Sequence, residues 1–300
     1  MNIGFIGNSR FIPRILPVLQ HKHHKVCGIY NPQDVPLPEG LVKYSRAETL
    51  ISSADILYIA EDELPLEKIS EMAVKDTKAI FFESPFILDY ERFSNLYQLA
   101  NESKSIIRLS QPLRSHPVYK YVKAQLNPSL IHFRVDSYEL YTNITNLRQV
   151  LFDILSIIQN VVPSRYRKIS YRPVQDYHAP NQGACTFDMD FDNGSNVRIL
   201  INYLTQQEHL QAEFIQRSQR FILDFTEACL WIYGPEKDKS GSVTGIEEIQ
   251  RPLVIEDFIR FIGDLNSSRL PLTINEDNQE VLAYTYSFLH EMQHQVDLLT

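Results

Sequence analysis

Over its first 110 residues the chain alternates short apolar runs with segments of helical periodicity. The apolar runs are short enough to be strands that are covered on both faces of a parallel sheet; they are Asn2–Gly7, Val26–Tyr30, Ile56–Ala60, Ala79–Glu83 and Ile106–Ser110. The helical segments between them are Arg10–His21, Arg46–Ser52, Glu67–Val74 and Tyr90–Ser103. This alternation predicts βαβ units and therefore a doubly wound α/β sheet. Pro17 should kink or shorten the first helix.

The pattern changes after Pro117, where a second domain is predicted to begin. A long helix with apolar residues from Leu147 to Val161 comes first, and a last helix runs from about Asp277 to Leu298. Alternating segments between them predict a meander of strands with one covered face; they are Cys185–Phe191, Asn196–Tyr203, Leu210–Gln216, Phe221–Phe225 and Cys229–Tyr233. We therefore expect an α/β domain over 1–117 and an α+β domain over 118–300 with an open, mainly antiparallel sheet of about six strands.

Charge and cysteine content exclude several classes of function. The chain has 29 basic and 37 acidic residues, a formal charge of -8, and no Lys/Arg-rich run, so nucleic acid is not expected as a partner. Its three cysteines contain no CxxC pair, which argues against a disulfide framework and a thiolate zinc site and suits a reducing cytoplasm. No apolar stretch is long enough to predict a membrane span.

Four stretches resemble, in order and at similar spacing, the motifs of one enzyme family. They are Tyr44–Leu50, Ala54–Ala60, Ile80–Phe86 and Pro112–Pro117. On these motifs the chain is identified as a divergent member of the glucose-fructose oxidoreductase / inositol dehydrogenase / MocA dehydrogenases. The resemblance implies an N-terminal NAD(P)-binding Rossmann domain, a sugar-like small-molecule substrate against the C-terminal sheet, and a homodimer or higher homo-oligomer formed through that sheet.

The phosphate-binding turn of that family is only partly kept. Where the family has G-x-G-x-x-G/A, this chain has Gly7-Asn8-Ser9-Arg10-Phe11-Ile12. Ser9 and Ile12 add side chains where glycine lets the backbone approach a pyrophosphate and the helix pack on the strand, so we expect a weakened site for NAD or NADP. The resemblance places cofactor contacts at Gly7, Asn8, Ser9, Arg10, Phe11, Asn31, Ala60, Glu83 and Pro85.

The family's catalytic residues are also replaced. Its E-K-P lysine falls on Ser84, whose hydroxyl cannot replace a lysine as acid or base at neutral pH. Its helical histidine falls on Ile157, which has no titratable group. Asp153, His116 and His178 are the candidates to take over proton transfer. Arg114, Asp153 and Tyr141 are the candidates for contact with substrate.

Two hypotheses about function follow from these replacements. In the first, the chain has lost the redox machinery and binds a nucleotide or other ligand. In the second, it is an active NAD(P)-dependent oxidoreductase that uses substitute acid/base residues on a sugar-like or cyclic alcohol. The sequence His290-Glu291-Met292-Gln293-His294 matches HExxH, but only six residues follow it and no third ligand is evident, so no metal site is expected.

Overall fold

The computed structural model divides the chain into two compact units. Unit 1 comprises Met1–Ser110 together with Val254–Ala283, and unit 2 comprises Gln111–Leu253 together with Tyr284–Thr300. The division therefore differs from the domains 1–117 and 118–300 expected from the sequence, because a late segment belongs to unit 1. The structure describes residues 1–31, 41–60, 65–138, 140, 144–176, 179–234, 241–243, 251–267 and 274–299.

Unit 1 is built on a six-stranded parallel sheet in the order β3-β2-β1-β4-β5-β6. Its strands are β1 (Asn2–Ile6), β2 (Lys25–Tyr30), β3 (Lys43–Tyr44), β4 (Ile56–Ile59), β5 (Ala79–Phe82) and β6 (Ile107–Leu109). The connecting helices are α1 (Ile12–His21), α2 (Ala47–Ser53), α3 (Leu66–Lys75) and α4 (Tyr90–Ser103). The predicted doubly wound α/β fold is confirmed. Residues Ile56 to Ile59 are fully buried, as expected of a strand covered on both faces.

Helix α1 does not end at its internal proline. Pro17 lies inside the helix, which continues to His21, so of its two expected effects, a kink or a shortened helix, the shortening does not occur. A proline removes the donor to the carbonyl four residues earlier, here that of Pro13. Both prolines are exposed, where water can bond that carbonyl. The opposite face of the helix, which includes Ile15 and Leu19, is buried in the core of unit 1 and holds the helix in place.

The late segment of unit 1 consists of helix α7 (Leu253–Asn266) and the beginning of helix α8 (Ile274–Leu299). Phe258 packs its ring 4.9 Å from Tyr58 and 5.1 Å from Phe81 on the central strands. Asp257, which is fully buried, binds the guanidinium of Arg108 on β6 at 3.2 Å. These contacts explain why the predicted boundary differs: apolar periodicity shows that α7 has a buried face but not which sheet covers it.

On the open side of edge strand β6, side chains form hydrogen bonds with the backbone of the strand. Asn275 accepts the Ile107 N–H at 2.9 Å and donates to the Ser105 carbonyl at 3.0 Å. Asn278 donates to the Ile107 carbonyl at 3.0 Å. The first turn of α8 therefore satisfies backbone groups that an edge strand would otherwise leave open to pairing.

Unit 2 contains an eight-stranded sheet in the order β14-β13-β12-β11-β7-β10-β9-β8, in which only the β7–β10 pair is parallel among the described strands. Its strands are β7 (Leu130–Asp136), β8 (Tyr166–Asp176), β9 (Ala179–Phe191), β10 (Asn196–Asn202), β11 (His209–Ile215), β12 (Arg220–Asp224), β13 (Cys229–Tyr233) and β14 (Gly241–Val243). The mainly antiparallel sheet is confirmed, but it has eight strands where about six were expected. Its helices are α5 (Pro117–Val122), α6 (Ile144–Val161) and the C-terminal part of α8.

The two faces of this second sheet differ in chemistry. One face is apolar and buried, and Phe187 packs on it 5.0 Å from Phe288 of α8. The other face is more polar. It carries cross-strand ion pairs such as Arg198 with Asp188, at 2.6 Å. No described helix is long and apolar enough to cross a membrane.

Candidate functional site

The turn after β1 has a backbone conformation that requires glycine. Gly7 has φ +85° and donates its N–H to the Tyr30 carbonyl at 3.0 Å, which ties the turn to the end of β2. A left-handed φ is accessible to glycine at little cost. The chain then enters α1, with Phe11 at its N-cap position. The first glycine of the predicted phosphate motif thus serves the role that the motif assigns to it.

Ser9 is turned inward, away from the position in which it was expected to obstruct a ligand. It is 8% exposed, and its hydroxyl accepts the Phe11 N–H at 3.0 Å. Ile12, the other added side chain, is 2% exposed and packs into the core of unit 1. Both added side chains therefore point into the protein.

The outer side of this turn retains donors for an anion. The backbone N–H groups of Asn8, Ser9 and Arg10 make no hydrogen bond to any described part of the chain. Asn8 and Arg10 are exposed, and the Arg10 guanidinium lies 5.0 Å from the centre of the Phe11 ring. Unpaired N–H groups at a helix N-terminus, with a cation beside them, form an arrangement suited to a phosphate. The turn therefore fits a pyrophosphate.

The other predicted cofactor contacts lie along the same carboxyl edge of the sheet. Asn31 follows β2 and is 1% exposed. Ala60 follows β4 and donates its N–H to the Ile6 carbonyl at 2.9 Å, and Glu83 follows β5 and donates its N–H to the Ile59 carbonyl at 2.9 Å. Pro85 is buried just beyond. The structure thus brings together, within unit 1, residues that were predicted from separate motifs. Ligands of open α/β sheets bind at this edge.

Tyr58 is a polar residue of this edge that sequence reasoning missed. Its hydroxyl donates to Oε2 of Glu83 at 2.7 Å, while its ring is fully buried. Burial first, and then the Glu83 carboxylate, raise the pKa of Tyr58 well above its usual value, so the hydroxyl keeps its proton. The available signal was a tyrosine in an otherwise aliphatic strand, since a buried phenol hydroxyl needs a partner.

Ser84, on which the resemblance places the family's lysine, has a structural contact. Its hydroxyl accepts the Phe86 N–H at 3.3 Å, which closes a short turn after β5. The side chain is half-buried and carries no charge. It cannot supply the cationic acid that the motif provides in the family.

The candidate substrate residues of unit 2 lie on the segment before α5 and on α6. Arg114 belongs to a short turn, Pro112–Ser115, that packs against α6, and its Nη1 donates to Oε1 of Gln111 at 2.9 Å. Asp153 of α6 is 6% exposed. Tyr141 and His178 lie outside the described residues.

His116 has both ring nitrogens engaged. Nδ1 accepts the Val118 N–H at 3.3 Å at the start of α5, and Nε2 then donates to the Phe225 carbonyl at 3.0 Å. Burial lowers the pKa of His116 to about 4, against the weaker effects of the Phe225 carbonyl and Asp224, which raise it. The ring is 1% exposed. A neutral, fully bonded histidine of this kind contributes to structure and is a poor proton shuttle.

Helix α6 is buried around Ile157, the residue on which the resemblance places the family's histidine. Ile157 is fully buried, and its neighbours Leu155 and Ile158 are 0% and 1% exposed. Asn160, at the position of the motif's last aspartate, accepts the hydroxyl of Tyr119. This stretch of α6 therefore serves as packing surface in the structure.

The HExxH sequence lies on α8, within the predicted last helix. The side chain of His294 lies outside the described residues. Among the described side chains, no three His, Cys, Asp or Glu residues are grouped so that they could hold a metal ion.

Comparison with known proteins bears on the fold. No protein-family model matches the sequence, and no curated protein matches it. The structure is similar to UDP-N-acetylglucosamine 3-dehydrogenase GnnA from Acidithiobacillus ferrooxidans, with 14% identity, 96% of each chain covered and a TM-score of 0.80. It is also similar to an oxidoreductase from Agrobacterium radiobacter in complex with NAD+, L-tartaric acid and magnesium, with 14% identity, 97% of this chain and 96% of that chain covered, and a TM-score of 0.75.

A third similar structure is biliverdin reductase from Synechocystis sp. PCC 6803 in complex with biliverdin and NADP+. It has 14% identity, covers 95% of this chain and 98% of its own, and has a TM-score of 0.70. At such identities these likenesses establish the fold. The chain has the two-domain architecture of the dehydrogenases that its sequence resembles, and its structural neighbours are enzymes of that type at low sequence identity.

Proposed function

We propose that this protein binds a dinucleotide, NAD or NADP, at the carboxyl edge of the first sheet, without the lysine and histidine pair that the family uses for catalysis. The observation that carries the proposal is the turn after β1, in which the N–H groups of Asn8, Ser9 and Arg10 make no hydrogen bond to the described chain and suit a pyrophosphate. Two structural neighbours were solved with NAD+ and NADP+, which supports the choice of ligand. A bound NAD(P) would supply hydride transfer to an enzyme that also provides a proton carrier.

The proposed loss of catalysis rests on two positions. Ser84 offers a neutral hydroxyl that already accepts a backbone N–H, and Ile157 is fully buried and has no proton to exchange. His116, a candidate substitute, is neutral and bonded at both nitrogens. A general acid or base needs a pKa near the working pH and access to the reacting atom. None of these three residues meets both conditions.

We further propose a sugar-like small molecule as the second ligand, with contacts from Arg114, Asp153 and Tyr141 of unit 2. A neighbour that acts on a UDP-sugar supports this choice. A reducing cytoplasm suits the protein, because Cys27, Cys185 and Cys229 are all free thiols.

Thermal unfolding of ligand-free protein with NAD+, NADH, NADP+ and NADPH tests the proposal. A ligand present at 100 times its Kd should stabilise the native state by about 2.7 kcal/mol, a shift of several degrees in Tm. Because the site is expected to be weak, the cofactors should be titrated into the millimolar range. The absence of a shift with all four cofactors would refute dinucleotide binding.

A pair of charge reversals locates the bound cofactor. Arg10→Glu places a negative charge beside the turn and should remove most of the shift, since like charges repel at a phosphate site. Arg14→Glu makes the same change at an exposed position further along α1 and should retain the ligand-induced shift in Tm. Reduction or oxidation of a sugar alcohol by the wild-type protein would overturn the proposed loss of catalysis and favour substitute acid/base residues.

We also propose that the protein forms a homo-oligomer through the polar face of the second sheet. Ile222 and Trp231 are directly paired on that face and provide an apolar patch among its ion pairs. Light scattering at micromolar concentration should give at least twice the mass of one chain. Trp231→Glu should reduce the measured mass to that of a single chain. The matched change Leu204→Glu, at a side chain that is already 59% exposed, should leave the mass unchanged. A wild-type monomer would refute this proposal.

A further inference from the structure

Strand β8 forms one edge of the second sheet and carries a strong positive charge. Among the described strands it pairs only with β9, so the outer row of its backbone N–H and C=O groups makes no hydrogen bond to the described chain. No acidic residue occurs between Ile154 and Gln175, although the whole chain has a formal charge of -8. The cations on this strand and next to it are Arg165, Arg167, Lys168 and Arg172.

Neighbouring side chains do not pair with these charges. All four cations are exposed, and within the described part of the chain none of them forms an ion pair. Two carboxylates of β9 lie on the adjoining polar face, but each has a partner elsewhere. Asp190 accepts Nδ2 of Asn196 at 2.7 Å, and Asp188 binds Arg198 at 2.6 Å. The edge therefore presents four cations to an incoming molecule.

The part of this edge that is open to pairing is short and has defined ends. The register with β9 shifts between Tyr166 and Lys168, so Arg167 lies in a bulge that interrupts the ladder. At the other end, Pro173 has no N–H to donate. Between these two points, Lys168–Arg172 is paired with β9 at every residue. A segment of about five residues is a usual length for one strand to pair with another.

The apolar face of the sheet is incompletely covered at this edge. Ile169 is paired with Met189, and Tyr171 is paired with Phe187. Met189 and Phe187 are fully buried, whereas Ile169 and Tyr171 are only half-buried. Directly opposite residues of neighbouring strands lie on the same face, so apolar residues of an added strand would cover Ile169 and Tyr171.

The polar face determines which kind of strand can be added. Lys168 and Arg172 lie on this face, about 13 Å apart at the usual rise per residue, with Ser170 between them. A second copy that paired antiparallel about Ser170 would place Lys168 opposite Arg172, and like charges in opposite positions destabilise a strand pair. A strand with two carboxylates four residues apart would form an ion pair with each cation instead.

We propose that β8 is a docking edge for an extended acidic segment of a partner protein, which adds antiparallel to the second sheet. Its five residues are acidic at the two ends, β-branched and apolar opposite Ile169 and Tyr171, and small and polar in the middle. Main-chain hydrogen bonds supply affinity, and the side-chain pattern supplies specificity. The edge lies at the opposite end of the strand order from Ile222 and Trp231, so it is separate from the proposed oligomer contact.

Fluorescence anisotropy with the full chain and a labelled peptide tests the proposal. The peptide has the sequence Thr-Glu-Val-Thr-Val-Glu-Thr with blocked ends, and we expect a Kd below about 100 μM. Lysine in place of both glutamates should weaken binding at least about 10-fold, because like charges then face each other. Methylation of the five central peptide nitrogens keeps every side chain but removes the main-chain donors, and should also weaken binding at least about 10-fold.

A matched pair of charge reversals locates the bound peptide. Arg172→Glu should raise the Kd for the acidic peptide about 5-fold or more. Arg217→Glu makes the same change at an exposed arginine in the turn between β11 and β12, and should change this Kd by less than about 2-fold. Lys168→Glu combined with Arg172→Glu should lose the acidic peptide and gain the lysine peptide, whereas a misfolded chain would bind neither.

Four outcomes would overturn the docking edge. The first is that the wild-type protein does not bind the acidic peptide. The second is equal binding of the methylated and unmodified peptides, which would mean that charge alone attracts them. The third is a double variant that prefers the acidic peptide as the wild type does. The fourth is a short DNA duplex that binds the wild type more tightly than the peptide and displaces it, which would make the edge a general polyanion surface.

Discussion

Asp257→Ala is expected to lower the free energy of unfolding by about 3–5 kcal/mol, the usual cost of removing one member of a buried ion pair. Asp257 is fully buried on α7, and one of its oxygens, Oδ1, binds both Arg108 and Arg260. The Arg108 side chain is 11% exposed, so its guanidinium would lose its carboxylate partner where water has little access. Denaturant unfolding of the two proteins at pH 7 measures the difference.

Two further variants show whether the loss of stability in Asp257→Ala comes from the lost charge or from the lost packing. Asp257→Asn keeps the shape and an acceptor oxygen and should lose less stability than Asp257→Ala. Asp264→Ala removes a carboxylate from a half-buried position on the same helix and should change stability by no more than about 0.5 kcal/mol. A loss below about 1 kcal/mol in Asp257→Ala would show that the network does not hold α7 to the sheet.

The second large effect is a loss of stability in mild acid that originates at His116. In the unfolded chain this histidine takes up a proton near its ordinary pKa of 6.5, whereas burial lowers its pKa in the native state to about 4. Between these values the unfolded state binds more protons, so the free energy of unfolding falls as the pH falls. The loss is absent above pH 6.5 and should approach about 3 kcal/mol near pH 4, at 1.36 kcal/mol for each unit of pKa shift.

Carboxylates also titrate in this range, so a variant is needed to isolate the histidine. His116→Asn keeps an acceptor suited to the first turn of α5 and does not titrate. It should be less stable than wild type at pH 7, because it loses the bond to the Phe225 carbonyl, and it should have a shallower slope between pH 6.5 and 4.5. His21→Asn, at an exposed histidine, should retain the wild-type slope. Equal slopes for wild type and His116→Asn would contradict the assignment.

The parallel sheet could be predicted because the composition of its strands shows that they are buried on both faces. Ile56–Ile59 and Ala79–Phe82 consist of aliphatic and aromatic residues, as burial on both faces favours. Strands β7 and β8 were not predicted. Leu130–Asp136 alternates polar and apolar residues as the predicted strands do, so β7 was a missed strand, but its partners β10 and β11 come much later in the chain. Such pairing is decided by tertiary contacts rather than by local pattern.

The sequence could predict which residues lie at the site, but not the directions in which their side chains point. The resemblance to the dehydrogenase family placed Gly7, Ala60 and Glu83 among the cofactor contacts, and in the structure they follow β1, β4 and β5 at the carboxyl edge. Ser9 was expected to face the ligand and instead faces the core, because a short hydroxyl side chain can bond the N–H two residues later. Tyr58 was missed because only the fold places its hydroxyl beside Glu83.

The interrupted chain path of unit 1 has a consequence for biosynthesis. Residues 111–253, the larger part of unit 2, are synthesised between the six-stranded sheet and the helices that complete it. Until α7 has been synthesised, Tyr58 and Phe81 lack the cover that Phe258 provides, and until Asn275 and Asn278 have followed, edge strand β6 lacks its side-chain partners. During this time the nascent sheet exposes an apolar face and an unpaired strand edge. Both features promote aggregation. We therefore expect a fragment that ends after β6 to need a chaperone to stay soluble. In the 300-residue chain, α7 and the start of α8 cover the sheet instead.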